Sequence, residues 1–164
     1  MAANLEFLDL RKIKAISDFQ FGNKITDILF KDEKDIKIEK SKNTGKIRYI
    51  YLKDQLLLTL RPNNGLFTLT LYAAKIIINN IKKPILRIVV QNDIAEFIAE
   101  GRNVFCKHVV DIDENLRPND EVIIVNENDK LLAVGRLKIP VSYIKSFKSG
   151  VAVNVRRGIK SLKN

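Results

Sequence analysis

The sequence predicts an α+β chain in two parts: a small N-terminal α/β domain with an antiparallel sheet, then a small β-barrel carrying two short helices. Three observations predict it. Between Asp35 and Arg61 apolar residues alternate with charged ones across tight turns, the period-two signature of half-buried strands laid side by side as a meander. Lys82-Lys83-Pro84 supplies a seam, because proline interrupts regular structure. Beyond it, short apolar runs recur at close spacing with turn signals between them, which is how a small closed sheet is written. The boundary is drawn between residues 83 and 84, with the barrel running to about residue 160.

From Leu5 to about Ile16 the apolar positions Leu5, Leu8, Ile13 and Ile16, with Phe7 and Leu10, suit an amphipathic helix, and Gly22 breaks the pattern. Lys24 to Phe30 reads as a second short helix. "DIKIEKS" (35–41) alternates as a strand, "NTG" (43–45) turns the chain, and two further strands, 46–53 and 55–61, meet at Lys53-Asp54. Pro62-Asn63-Asn64-Gly65 is a second turn, and 70–81 has the spacing of a helix with Thr70 as its N-cap. In the second half "ILRIVV" is a strand and "NDIAEFIAEG" a helix with Asn92 as cap and Gly101 as stop. "NVFCKHVVDID", "DEVIIVNEN", "KLLAVGRLKI" and "VAVNVRRGI" are strands, with "VSYIKSF" a short helix before the last.

A chain of 164 residues, 46% hydrophobic, buries a sizeable core. Neither a secretory signal pattern nor an apolar run of membrane-spanning length occurs in it, so a cytoplasmic protein with no membrane partner is expected. One cysteine supports neither an internal disulfide nor a structural zinc site. The net charge of +10 is unevenly placed: residues 1–83 hold sixteen Lys/Arg against nine Asp/Glu, residues 84–129 four against ten, and residues 130–164 nine against none. Solvated faces ordinarily intersperse both signs, so a carboxylate-free stretch that folds points to a polyanionic partner.

The stretch from Ile85 to Ile159 resembles a PUA domain, the RNA-binding module named after pseudouridine synthases and archaeosine transglycosylases. The likeness is carried by a helix ending in Gly101, a strand opening Asn103-Val104-Phe105, an "RPNDEV" turn into a strand, an "AVG" strand and a terminal "GVAV". Upstream, "DFQFG" (18–22), "SKNTGKIRYI" (41–50) and "LRPNNGLFTLTLYAAK" (60–75) resemble the domain that precedes the PUA domain in archaeal tRNA-guanine (archaeosine) transglycosylases. Those enzymes carry their catalytic aspartates and zinc site in a large barrel that has no counterpart here. The Pro-Cys and Lys-Pro-Tyr motif of archaeosine synthases has none either, since Cys106 lies between Phe105 and Lys107. The resemblance therefore implies a PUA-type β-barrel in a non-catalytic RNA-binding protein without metal or cofactor. Its RNA would be tRNA, as a stand-alone accessory to, or the detached C-terminal part of, a tRNA-modifying enzyme whose catalytic subunit is a partner. The alternative is a ribosome-assembly or translation adaptor that docks on rRNA.

The resemblance places Gly101, Arg102, Asn103, Val104, Phe105 and Lys107 at or near the RNA surface, where a glycine would let a phosphate approach peptide N–H groups; the plain alternative is that Gly101 only ends a helix. Arg156, Arg157 and Lys160 form the densest cationic cluster of the barrel half, suited to phosphate, or a solvated tail. In the first half Lys42, Arg48 and Arg61, with Lys40 and Lys46, are interleaved with Tyr49 and Tyr51, a pattern that can hold backbone and stack bases. Tyr49 and Tyr51 share one strand face and Arg48 and Ile50 the other, so at least one tyrosine is expected in the core, and Arg61 can equally anchor the following turn. Cys106 and His108, read on one continuous strand, would share a face, but without an oxyanion stabiliser the pair makes a poor nucleophilic site. A half-buried cysteine and a hydrogen-bonded or surface histidine are expected instead.

Overall fold

A computed structural model describes residues 2–161, with side chains from Glu6 onward; the Leu5 side chain lies outside the described residues. The chain divides between Asn80 and Ile81 into two compact units.

In the first unit, α1 (Ala2–Phe21) runs past Ile16 because nothing in "SDFQF" interrupts a helix until Gly22, whose φ is 90°. Leu10, Ile13 and Ser17 make its inner stripe at i, i+3 and i+4 spacing. Leu8 and Phe7 fall off that stripe and are exposed, although the apolar pattern assigned both to it. After α2 (Asn23–Leu29) come β1 (Ile36–Lys40), β2 (Ile47–Leu52), β3 (Gln55–Leu60) and β4 (Phe67–Leu69), antiparallel in that order. The β2–β3 turn holds Lys53 and Asp54 at φ 49° and 62°, the twist that suits a two-residue hairpin. β4 was not legible as a strand, being three residues long. It is held from outside the ladder by Gln20, whose amide donates to the Phe67 carbonyl (2.8 Å) and accepts from the Phe67 N–H (2.7 Å). α3 (Leu71–Asn80) is capped by Thr70, whose hydroxyl accepts from the Ala73 N–H at 3.1 Å, and Ala73, Ala74 and Ile77 pack inward. On β2 the core is made by Ile47, Ile50 and Leu52. Tyr49 and Tyr51 are both half-buried, so neither is in the core; aliphatic residues fill it without a hydroxyl to satisfy.

The second unit is a nearly closed six-stranded barrel: β5 (Arg87–Val90), β6 (Val104–Phe105), β7 (Val109–Ile112), β8 (Glu121–Val125), β9 (Leu131–Leu137) and β10 (Val151–Gly158), ordered β6-β10-β9-β8-β5-β7. All pairings are antiparallel except β5 with β8. The helices are α4 (Ala95–Ala99) and α5 (Val141–Ser146). "NVFCKHVVDID" is two strands, not one, because Cys106, Lys107 and His108 form a 3-10 turn that bends the chain between the two outer strands. At three residues per turn, positions i and i+2 point different ways, which separates Cys106 from His108. Cys106 is buried, and desolvation pushes its thiol pKa up; His108 is half-buried, its Nδ1 3.1 Å from Gln91 Oε1.

Asn92 does not cap α4. Its side-chain oxygen accepts from the Glu127 N–H and its own N–H donates to the Glu127 carboxylate, both at 3.1 Å, so it brackets the β8–β9 hairpin instead. Arg87, read within an apolar strand, is fully buried. Its Nη1 donates to the Ile85 carbonyl (3.1 Å) and its Nη2 to that of Ile81 (2.5 Å). Its Nε lies 2.9 Å from Asp129. Burial pulls the Arg87 pKa down and Asp129 opposes that pull.

Candidate nucleic-acid interface

α4 ends at Ala99 and the chain reverses at Gly101 with φ 105°, a left-handed conformation in which a side chain is strained; an added Cβ would lie 2.9 Å from Ser161 Oγ. Gly158 backs onto the same corner, where a Cβ would come within 2.2 Å of the Ala99 carbonyl oxygen. Ser161 Oγ closes the arrangement by accepting from the Gly158 N–H at 2.9 Å. Two peptide donors of the corner are already taken. The Gly101 N–H donates to Ile98 O (2.9 Å) and the Arg102 N–H to Phe97 O (3.1 Å), so the glycine serves the cap and the tail packed on it, and an anion arriving here meets side chains.

Arg102 is exposed, its guanidinium 5.6 Å from the centroid of the half-exposed Phe97 ring. The Asn103 side-chain oxygen accepts from the Val155 N–H at 2.9 Å, tying β6 to β10. Val104 does not reach the surface: it is fully buried, since alternation along β6 turns it inward and Phe105 outward. Lys107 is exposed and in no ion pair among the described residues.

Arg156 and Arg157 differ. Arg156 sits where β10 shifts register against β9 and grips buried Glu121, with Nη2 2.6 Å from Oε1 and Nη1 3.0 Å from Oε2. Arg136 Nε approaches the same carboxylate at 3.8 Å. Arg157 is exposed and outside any ion pair among the described residues. Lys160 pairs with Glu96 at 2.5 Å. Of the five predicted barrel cations, then, Arg102, Lys107 and Arg157 are in no ion pair among the described residues, while Arg156 and Lys160 are partly neutralised.

In the first unit Lys42 is exposed in the β1–β2 turn, and Arg48 is half-buried with its guanidinium 5.8 Å from the Tyr49 ring. Arg61 anchors its turn: its N–H donates to Leu66 O (2.9 Å), its carbonyl accepts from Gly65 (3.0 Å), and Nη2 reaches Phe67 O (3.5 Å). Lys40 pairs with Asp9 at 2.7 Å. The sequence reading missed Glu121, whose only signal was a carboxylate opening a strand. It missed as well the exposed pair Tyr143 and Phe147, whose signal was their i, i+4 spacing on "VSYIKSF". Among the described residues no three His, Cys, Asp or Glu side chains gather as a metal site, and no helix is long and apolar enough to cross a membrane.

Residues 11–84 match the patch-forming domain C2 of tRNA-guanine transglycosylase, and residues 86–159 match the PUA domain. Two proteins named tRNA-guanine(15) transglycosylase, from Methanobrevibacter smithii and Thermococcus onnurineus, are 45% and 42% identical over 93% and 90% of this chain. The chain spans about a quarter of their length, 23% and 25%, and the match is to their C-terminal part. Among solved structures, a hypothetical protein from Pyrococcus horikoshii OT3 is similar in fold at a TM-score of 0.75 and 24% identity, covering 93% of this chain and 91% of that one. A conserved PUA domain protein from Thermoplasma acidophilum is similar at a TM-score of 0.55 and 13% identity over 75% of each chain.

Proposed function

This chain is a PUA-domain protein built like the C-terminal part of archaeal tRNA-guanine transglycosylases, and from that premise we propose that it binds RNA, tRNA before all others, in the service of a tRNA-modifying enzyme. The tandem match of both domains, covering residues 11–84 and 86–159, carries the reading. The exposed cations Arg102, Lys107 and Arg157, none in an ion pair among the described residues, support it from the physical side. Phosphate contacts from such side chains fix a protein on a folded RNA through its backbone and shape, without reading sequence. Because the peptide N–H groups of Gly101 and Arg102 are already bonded, the grip is one of guanidinium and ammonium groups.

In this reading the chain holds the acceptor end of tRNA and contributes no reacting group; the exchange of a base is carried out by residues on another chain. A gel-shift comparison of tRNA with the same tRNA lacking its acceptor end tests the first part: tighter binding of the intact molecule is expected, and equal binding defeats it. Incubating the purified chain alone with tRNA and labelled guanine tests the second. No label should enter the tRNA, and incorporation overturns the proposal. Selective, salt-resistant binding to ribosomal RNA over tRNA would replace this reading with that of a ribosome-assembly adaptor.

A further inference from the structure

A groove of about 560 Å³ lies beside α5 and the 3-10 corner between β6 and β7. Cys106, Ile112 and Ile144 give it an apolar lining, Phe147 stands at its side, and Lys107 and Lys148 are at its rim. Phe147 is 48% exposed and stacks on Tyr143, itself 52% exposed, with ring centroids 5.4 Å apart and planes 8° from parallel. Parallel rings left open to solvent continue naturally with a third flat ring. The charge beside them is complementary to a phosphate chain. Lys107 and Lys148 take part in no ion pair among the described residues, and Lys145 pairs with Glu114, leaving Asp111 as the one carboxylate on the lining.

We propose that this groove takes a single-stranded stretch of RNA, one base extending the Phe147–Tyr143 stack and the adjoining phosphates lying on Lys107 and Lys148. The inference rests on the RNA-binding reading and deepens it. A flat aromatic face beside unpaired lysines fits a base and its phosphates better than it fits a peptide, which has no ring in every residue and no charge in its backbone. Bases inside a duplex already stack on one another, so the platform suits an unpaired nucleotide and not a base pair within a helix.

The test uses the full chain with a blunt RNA hairpin and the same hairpin carrying a short single-stranded tail. The wild-type protein should bind the tailed RNA more tightly, on the order of tenfold for one stacked base. The double variant Tyr143→Ala/Phe147→Ala removes exposed rings, and it should lose that difference while binding the blunt hairpin unchanged. Phe147→Trp should keep the preference, and because the chain has no Trp the introduced indole reports directly: tailed RNA quenches its fluorescence and blunt RNA does not. The groove assignment fails if the wild type shows no preference for the tail, if the preference survives the double substitution, or if both RNAs quench the indole equally. If neither RNA binds the wild type at all, the RNA-binding reading falls together with the groove.

Discussion

The guanidinium of Arg87, shut away from solvent, lies 2.9 Å from the carboxylate of Asp129. Two carbonyls, of Ile85 and Ile81, accept from its Nη1 and Nη2. This contact pins the β8–β9 turn, where Asp129 itself has a φ of 58°, to the first strand of the barrel.

Removing the carboxylate strands a buried charge. Asp129→Ala should destabilise the barrel by roughly 3 kcal/mol, the low end for breaking a buried pair because the Asp129 side chain keeps 27% of its exposure. Urea unfolding measures it. Adding Arg87→Met should recover much of the loss, since an apolar replacement removes the orphaned charge; a double variant weaker than the single one would mean that the carbonyl contacts matter more than the ion pair.

Arg156 and Arg157 should separate stability from binding. Arg156→Ala takes a two-point guanidinium grip away from the buried Glu121, with Arg136 Nε still 3.8 Å from that carboxylate, and should destabilise by about 2 kcal/mol. Arg157→Ala should shift stability by less than about 0.5 kcal/mol yet lower the slope of log affinity against log salt for tRNA by about 1. Thermal melts and salt titrations on the two variants check both. An unchanged slope in Arg157→Ala removes that residue from the interface.

Gly101→Ala combines a strained φ with a contact on Ser161 and should destabilise by about 1–3 kcal/mol. In melts compared with Ser161→Gly alone, which itself loses the hydrogen bond from the Gly158 N–H, the cost of Gly101→Ala should shrink only by the part due to the contact, since the φ of 105° stays strained.

Burial raises the Cys106 pKa, so the folded chain holds this proton more tightly than the unfolded one. Its contribution to stability is complete below the unfolded pKa, about 8.5, and is lost as pH rises through the folded value. Tyr51 is shifted the same way, by desolvation first and then Glu39, so the test is a difference: unfolding free energy from pH 8 to 10 should fall more steeply for wild type than for Cys106→Ser. Affinity for tRNA should stay within a few-fold in that variant, and a loss beyond that would give the thiol a role in binding.

The meander was legible because alternation, the left-handed Lys53-Asp54 turn and the Thr70 cap are each local. β4 carried too few residues to alternate, and its restraint, Gln20, comes from the distant end of α1. The 3-10 corner at 106–108 was hidden in a run of strand-forming residues, since what bends it is the closing of the barrel and not a glycine or proline. Charge was misleading for a related reason. Counted along the chain, residues 130–164 hold no acid; in space, Glu121 reaches Arg156 across 35 positions and Glu96 reaches Lys160 across 64. Linear segregation of charge therefore overstated the number of cations free to meet a ligand, and Lys107 and Arg157 stood out only once the partners of their neighbours were known.

β10 lies between β6 and β9, so the strand that bears Arg156 and Arg157 is also the one that joins β6 to the rest of the sheet. A proteolytic nick that released it would open the fold and remove two of its cations in a single event. On the RNA-binding reading proposed above, frayed or half-finished copies that lack this strand would be without Arg157 and would hold nucleic acid more weakly than intact ones.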